Sequence, residues 1–523
     1  MSKKYSTDYE IGQDNLQKFG LDIHNPVFII SALIVLAFVI VTAIFPSIAN
    51  ETLDGAKWWA INNFDWLFMS SSNIFVIFCL FLIFLPVGKI RIGGEDAKPE
   101  FSKMSWFSML FAAGMGIGLM FWSVAEPVAY YTDWWHTPLN VEANTPQARE
   151  LAMGATMFHW GLHPWAIYAI VGLSLAFFSY SKKLPLTMRS AFYPILGDKI
   201  WGWPGHVIDI LAVFATIFGL ATSLGLGAQQ VASGLHFLFD VSNGVGTQII
   251  IIVCITAVAI VSVVRGLEGG VKILSNLNIL LAFLLIMFVI IVGPTLGIFN
   301  GFLDTVGAYA TNMLDLANFV GREDQEWFHG WTIFYWAWWI AWSPFVGMFI
   351  ARVSKGRTVR EFIIAVLLIP TLITAIWMSA FGTTGIDQVI SETGALADGL
   401  TDKSLAMFQM LENLPLSSIT SVLAIFLVIV FFVTSSDSGS LVIDSITAGG
   451  KLNAPTTQRV FWAVVEGAVA ISLLYMGGKE ALSALQAGSI TTALPFTIIL
   501  LVMCFSLYKG LNSELKHLDS LKK

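Results

Sequence analysis

The chain has 523 residues, of which 56% are hydrophobic and only 12% are charged. Soluble domains average about 25% charged residues, so this composition argues against a soluble enzyme and predicts a protein of the lipid bilayer. The net charge of -7 is spread thinly and no basic stretch suits a polyanion, which argues against nucleic acid as a partner.

Apolar runs follow one another from Pro26 almost to the C-terminus, and each is close to the length that crosses a bilayer. They predict twelve spanning helices, at residues 26–49, 66–88, 102–131, 151–178, 206–234, 245–264, 273–297, 330–352, 358–382, 417–440, 457–477 and 481–508. An even number of spans places both termini on the same side of the membrane.

The basic residues indicate which side this is. If the N-terminus is cytoplasmic, the cytoplasmic segments contain all but five of the 28 Lys and Arg residues, the exceptions being Lys57, Arg149, Arg322, Lys403 and Lys479. This asymmetry is typical of inner-membrane proteins. It predicts a bacterial inner-membrane location with cytoplasmic tails at 1–25 and 509–523.

Two spans contain residues that interrupt helices. The third has glycines at positions 114, 116 and 118, and the eighth contains Ser343-Pro344-Phe345-Val346-Gly347. Spans five helices apart that break at matching places are typical of two inverted five-helix repeats around a central site. The prediction is therefore an all-α fold with peripheral helices in 26–88, repeats at 102–297 and 330–508, and an amphipathic surface helix at 303–329. For the glycines alone, close helix packing explains the pattern equally well.

Aromatic residues are concentrated in the fourth and eighth spans. Trp160, Trp165 and Tyr168 share one broad helical face, and a narrower stripe is formed by Phe334, Trp338, Trp342 and Phe345. Tryptophans usually belong to the membrane interface, but the eighth-span cluster reaches well into the middle of its span. Ring faces attract quaternary ammonium groups, and we expect the indole N–H groups to remain free for a carboxylate on the same ligand.

The segments Gly114–Pro127 and Trp331–Arg360 resemble the betaine/choline/carnitine transporter family, and the likeness extends over about residues 85–508. The resemblance implies an inverted-repeat carrier, usually a homotrimer, that takes up ammonium compounds by alternating access. It also implies a central aromatic cage of Trp160, Trp165, Tyr168 and Trp339. Trp338 and Trp342 would line the same pathway.

The resemblance further implies a sodium site built from Ala112, Met115, Phe431, Thr434 and Ser435. Without the family, hydroxyl bonding within the helix would be the default interpretation of Thr434 and Ser435. A second sodium position would use Thr216, but Leu220 stands where its partner threonine is expected. Gly118 replaces the aspartate of proton-coupled choline carriers, which favours sodium coupling.

The sequence thus predicts a sodium-coupled carrier of glycine betaine or dimethylsulfoniopropionate, with no cofactor besides the coupling ion. A proton-coupled choline carrier and a carnitine-type exchanger of the same fold are the alternatives. An intramembrane enzyme would need a metal or nucleophile constellation. His159 and His163 have metal-binding spacing, but Trp160 stands where a hydrolase would need glutamate. The ionisable residues within spans are Glu126, Asp209, Asp437 and Glu466, each explained at least as well by structural pairing.

Overall fold

The computed structural model describes residue 5 and residues 7–114, 116–265 and 272–521. These residues form an all-α polytopic membrane protein, as predicted. The long helices are, in chain order, α1 (Val27–Ile44), α2 (Pro46–Phe84), α3 (Lys103–Gly114), α4 (Ile117–Thr132), α5 (Pro146–Trp160), α6 (Leu162–Ala176), α7 (Trp203–Phe239), α8 (Val245–Arg265), α9 (Lys272–Val292), α10 (Thr295–Ala317), α11 (Phe334–Val353), α12 (Val359–Met378), α13 (Ser417–Thr447), α14 (Thr456–Gly477) and α15 (Ala481–Leu521).

Short elements join the long helices. One-turn or two-turn α-helices occur at Tyr193–Leu196, Gln325–Trp327, Thr384–Ile390 and Ala406–Glu412, and a hairpin of β1 (Asn15–Lys18) and β2 (Leu21–His24) precedes α1. The hairpin docks beside the α13–α14 turn, where Asn15 Nδ2 donates to the Ala448 carbonyl (2.9 Å) and Lys451 pairs with Asp22 (2.5 Å). We call this side of the bundle the terminal face and the other side the opposite face.

Ten helical segments of the described chain are long and apolar enough to cross a membrane. One of them, Thr456–Leu521, contains both α14 and α15, which are separated by a turn at Gly478 with φ +51°. The third predicted span is divided into α3 and α4, and each part is too short to count by itself. These two cases reconcile the ten segments with the twelve predicted spans. The surface helix α10 begins at Thr295 and ends at Ala317, earlier than the predicted 303–329.

The two predicted interruptions have different outcomes. The third span breaks between Gly114 and Ile117, and Gly116 there is extended. The predicted break in the eighth span is wrong, because α11 continues through Pro344 to Val353. A proline inside a helix leaves the carbonyl four residues earlier without its usual donor. The Ser343 hydroxyl donates to that carbonyl, Ile340 O, at 2.7 Å, so the helix continues.

A break that the sequence analysis did not predict lies in the fourth span. Gly161, with φ -99° and ψ -128°, separates α5 from α6. Non-helical backbone at membrane depth must be satisfied by protein groups. Tyr309 of α10 accepts from the Leu162 N–H (3.0 Å), and the Trp339 indole donates to the His159 carbonyl (2.8 Å). The break therefore depends on two other helices.

Close packing through small residues joins α6 and α11. Gly172 and Gly347 face each other, and a Cβ atom added to Gly347 would lie 2.5 Å from Val171 Cγ1 and 3.0 Å from the Gly172 nitrogen. Small residues at helix interfaces let backbones approach and gain van der Waals contact in the membrane. This contact holds the two aromatic spans at a fixed separation.

We expect Gly347→Ala to lower the thermal stability of the detergent-solubilised protein, because overpacking a tight contact costs about 1–3 kcal/mol. The matched control is Gly307→Ala on the exposed surface of α10, where no atom lies within 4 Å of the added Cβ. The control should equal or exceed the wild type, since alanine favours helix by up to about 1 kcal/mol over glycine. Equal melting temperatures for the two variants would contradict the role assigned to this contact.

Candidate functional site

The residues predicted to bind substrate surround one small cavity at the centre of the bundle. It is lined by Gly116, Gly118, Leu119, Trp160, Pro164, Trp165, Tyr168, Trp338, Trp339, Trp342 and Thr374. All six predicted substrate-binding residues are among them, and all six are buried. The cavity measures about 30 Å³, which is room for roughly two water molecules. A larger ligand therefore requires the rings to separate.

The rings of this aromatic cage contact one another, one pair stacked and the other pairs nearly perpendicular. Trp338 and Trp339 stack with centroids 4.7 Å apart, and Trp160 meets Trp339 edge to face at 4.9 Å. Tyr168 meets Trp165 at 5.4 Å and Trp339 at 6.3 Å, again nearly perpendicular. Such pairs are stabilising beyond their buried area. The cage is thus a preassembled set of ring faces and edges on helices α5, α6 and α11.

Gly118 lies between two of these rings. A Cβ atom at this position would stand 2.8 Å from the outermost ring carbons (Cη2) of both Trp160 and Trp338. No real Cβ contact is so short, so any side chain here would push the rings apart. The glycine is required for the close approach of α4 to the cage.

The indole N–H groups are mostly engaged, which corrects the prediction that they remain free. Trp160 donates to Glu126 Oε2 (2.7 Å), Trp338 to Ser223 Oγ (3.2 Å) and Trp339 to the His159 carbonyl (2.8 Å). The sequence does not show this because all three acceptors come from other parts of the chain. Among the described residues, the Trp342 Nε1 and the Tyr168 hydroxyl are buried without a hydrogen-bond partner.

The stripe on α11 connects the cage to two larger cavities. Phe334 lines a cavity of about 690 Å³ on the opposite face, and Trp342 and Phe345 line one of about 540 Å³ on the terminal face. Phe334 stacks on Trp338 with centroids 5.4 Å apart and an angle of 13°. The cage is therefore separated from each cavity by aromatic side chains of one helix.

Four of the five predicted ion ligands line the terminal-face cavity together: Ala112, Phe431, Thr434 and Ser435. The fifth, Met115, lies outside the described residues. The Thr434 hydroxyl bonds within its own helix, to Val430 O (3.0 Å) and Phe431 O (3.1 Å), and accepts from Asn278 Nδ2 (3.2 Å). The structure thus brings the predicted ligands to one place without assigning them an ion.

Thr216 is apart from this group. Its buried hydroxyl donates to the Ala212 carbonyl (2.7 Å) within α7, and it does not line any of the three cavities described. Leu220, one helical turn further on, packs against the position of Gly439. Nothing in this arrangement adds a second oxygen ligand to Thr216.

Three of the four ionisable residues within spans have partners away from the cage. Asp209 pairs with Arg189 (2.5 Å), Asp437 with Arg459 (2.6 Å), and Glu466 accepts from Ser436 (3.1 Å). The fourth, Glu126, accepts a hydrogen bond directly from the cage residue Trp160. Sequence reasoning noted Glu126 but assigned it no role, and it missed Ser223 and Tyr335. Tyr335 lies within the aromatic run of the eighth span, so this run was the sequence feature that could have identified it.

One of the lysines that line the opposite-face cavity, Lys403, is surrounded by tryptophan rings. The Lys403 ammonium lies over the rings of Trp134 (4.3 Å), Trp331 (4.8 Å) and Trp122 (5.4 Å), measured from Nζ to the ring centroids. Burial lowers the pKa of Lys403 from its usual value to about 7, against the opposing effect of Asp402. Three ring faces therefore surround this ammonium group.

Comparison with known proteins places the chain among transporters. The sequence profile of BCCT, the betaine/carnitine/choline family transporter, matches residues 26–516. Glycine betaine transporter 1 of Vibrio parahaemolyticus is 63% identical, over 97% of this chain and 98% of its own length. The glycine betaine/proline/choline/ectoine transporter of the same organism is 60% identical (98% and 92% covered), and glycine betaine transporter OpuD of Bacillus subtilis is 44% identical (95% and 96% covered).

We expect an amine-acylating reagent at pH 7 to label Lys403 faster than Lys479, which lines the same cavity. About half of an amine with a pKa near 7 is neutral at that pH, whereas an ordinary lysine is neutral in only about one molecule per thousand. Peptide mass spectrometry after brief labelling measures both sites. Labelling of Lys403 should fall as the pH drops from 7 to 5, because the neutral amine becomes protonated. Equal rates at the two lysines would contradict the lowered pKa.

Proposed function

Because the chain belongs to the betaine/carnitine/choline transporter family, we propose that it imports glycine betaine or a close analogue by alternating access, coupled to Na⁺. Its family and its relatives are transporters, so the chain is a transporter and not an enzyme. The observation that carries the substrate proposal is the buried cage of six aromatic residues at the centre of the bundle.

Ring faces attract a methylated cation that cannot donate a hydrogen bond, and each desolvated contact contributes on the order of 1–2 kcal/mol. The carboxylate of the zwitterion would meet the two unpartnered donors, Trp342 Nε1 and the Tyr168 hydroxyl. A sulfonium group presents the same methylated cation, so dimethylsulfoniopropionate belongs to the same proposed substrate class.

Passage through the cage requires two changes in the stripe on α11. Phe334 and Trp338 would separate to admit substrate from the opposite-face cavity, and Trp342 would move to release it into the terminal-face cavity. In this scheme the Phe334–Trp338 contact and the Trp342 side chain do not open at the same time, because simultaneous opening would dissipate the ion gradient.

Sodium coupling is supported by the oxygen ligands near the cage. Ala112 and Phe431 would supply backbone carbonyls, and Thr434 and Ser435 would supply hydroxyls, all at the terminal-face cavity. Hard oxygen ligands at a broken helix suit Na⁺. A proton-coupled choline carrier is less well supported, because the Gly118 position has no room for a carboxylate between Trp160 and Trp338.

We further propose a homotrimer in the bacterial inner membrane, with the terminal face in the cytoplasm. The family resemblance supports the trimer. The concentration of all but five Lys and Arg residues in segments of the terminal face supports the orientation.

Uptake of labelled glycine betaine into proteoliposomes should require an inward Na⁺ gradient and should be blocked by excess dimethylsulfoniopropionate. A proton gradient alone should drive no uptake, because no carboxylate, histidine or lysine side chain is among the described residues that line the cage. The assay compares the two gradients at equal membrane potential.

The matched variant for the ion site is Thr434→Val, which keeps the shape of the side chain and removes its oxygen. It should raise the Na⁺ concentration needed for half-maximal uptake. Proton-driven uptake by the wild type, or unchanged Na⁺ dependence in Thr434→Val, would contradict the coupling proposal.

We expect Trp339→Ala to weaken glycine betaine binding at least about tenfold, because it removes a ring contact and the partner of both Trp160 and Trp338. Trp339→Phe keeps an aromatic face and should retain more affinity than Trp339→Ala. Quenching of tryptophan fluorescence measures binding in both, after size-exclusion chromatography has verified folding. Near-normal affinity in Trp339→Ala would remove this residue from the cage.

A further inference from the structure

The carboxyl group of Glu126 is the centre of a buried hydrogen-bond network. The residue lies on α4 and is fully buried. Its Oε2 accepts from Trp160 Nε1 (2.7 Å) and from the Tyr335 hydroxyl (2.5 Å). Its Oε1 accepts from the Tyr130 hydroxyl (2.9 Å) and lies 2.8 Å from His159 Nδ1. An ionised carboxylate, which accepts and does not donate, suits all four neighbours when His159 donates from Nδ1.

Both groups at Oε2 contact the cage. Trp160 is one of its rings, and Tyr335 stacks on Trp339 with centroids 5.9 Å apart and an angle of 29°. His159, the neighbour of Oε1, is connected to the cage through its backbone, because its carbonyl accepts a hydrogen bond from the Trp339 indole N–H. One carboxylate thus orients two cage tryptophans, one directly and one through its histidine partner.

No lysine or arginine of the described chain forms an ion pair with Glu126, and His159 is the one ionisable base in contact with it. His159 Nε2 lies 3.0 Å from the Thr332 hydroxyl. If Thr332 donates to Nε2, the histidine is neutral and donates its Nδ1–H to Glu126. The network then carries one net negative charge next to the cage.

We propose that Glu126 is a positioning residue that also gives the cage its preference for cations, an inference that rests on the proposed function. It does not line the cavity and acts through the Trp160 indole. A charge-assisted hydrogen bond is shorter and stronger than a neutral one, so it fixes the ring. The anion behind the ring also attracts a cation in front of it.

The expected size of the charge effect follows from Coulomb's law. At roughly 8 Å and an effective dielectric constant of about 20, one unit charge changes the affinity for a cation by on the order of thirtyfold. The same charge does not favour a ligand in which carbon replaces the ammonium nitrogen. The ratio of the two affinities therefore separates charge from shape.

The test measures binding of glycine betaine and of its carbon isostere, 3,3-dimethylbutanoate, to the purified full-length protein. Glu126→Gln keeps the size of the side chain and an acceptor for Trp160 and Tyr335 but removes the charge. Because the two ligands share a carboxylate and differ only in the charge of the ammonium nitrogen, we expect the ratio of betaine affinity to isostere affinity to fall by on the order of thirtyfold. An equal loss for both ligands would show a structural role alone and would overturn the inference.

The matched control is Tyr130→Phe, which removes one donor to Oε1 but changes no ring of the cage. It should leave the affinity ratio unchanged, and a fall as large as that of Glu126→Gln would overturn the inference. If Glu126→Gln does not fold, Glu126→Asp keeps the charge, and its affinity ratio should equal that of the wild type; a thirtyfold fall in that ratio would overturn the inference. A wild type that binds neither ligand overturns the proposed function and this inference with it. Binding by the wild type with an unchanged ratio in Glu126→Gln overturns the inference alone.

Discussion

Inside a bilayer every backbone polar group needs a partner within the protein, and this constraint determines where the binding cage can be built. The third and fourth spans are broken at Gly116 and Gly161. At Gly161 the freed groups are paired by side chains of other helices, among them the indole of Trp339. The same indole is a wall of the cage. One side chain thus completes the backbone at the break in the fourth span and also lines the aromatic cage.

The cage combines an apolar interior with polar support directly behind it. Buried polar groups are stable only when their partners are complete, and Trp160, Trp338 and Trp339 each have one. The two donors without partners, on Trp342 and Tyr168, are the exception. A zwitterion would complete them, while its cation meets the rings and the charge of Glu126. The proposed selectivity for a zwitterion therefore rests on this division of polar groups as well as on the aromatic rings.

The helix α11 has a second role as the common wall of three cavities. Its stripe of Phe334, Trp338, Trp342 and Phe345 passes from one face of the bundle to the other, and each layer of the path uses one or two of these rings. The continuity of α11 through Pro344, supported by the Ser343 hydroxyl, keeps the stripe in register. Glycine contacts with α6 hold the two aromatic spans together.

The membrane class, the order of the spans and the six ring residues of the cage were all predicted from the sequence. Apolar runs and helical spacing are local properties, and the family resemblance assigned Trp160, Trp165, Tyr168 and Trp339 by alignment. Three features became visible only in the folded molecule: the eighth span is unbroken, the fourth span breaks at Gly161, and Glu126 bonds to a ring of the cage. Each of these depends on partners far apart in the chain, such as Tyr309 with Leu162 or Tyr335 with Glu126. Spacing along one helix carries no information about which group on another helix completes a hydrogen bond.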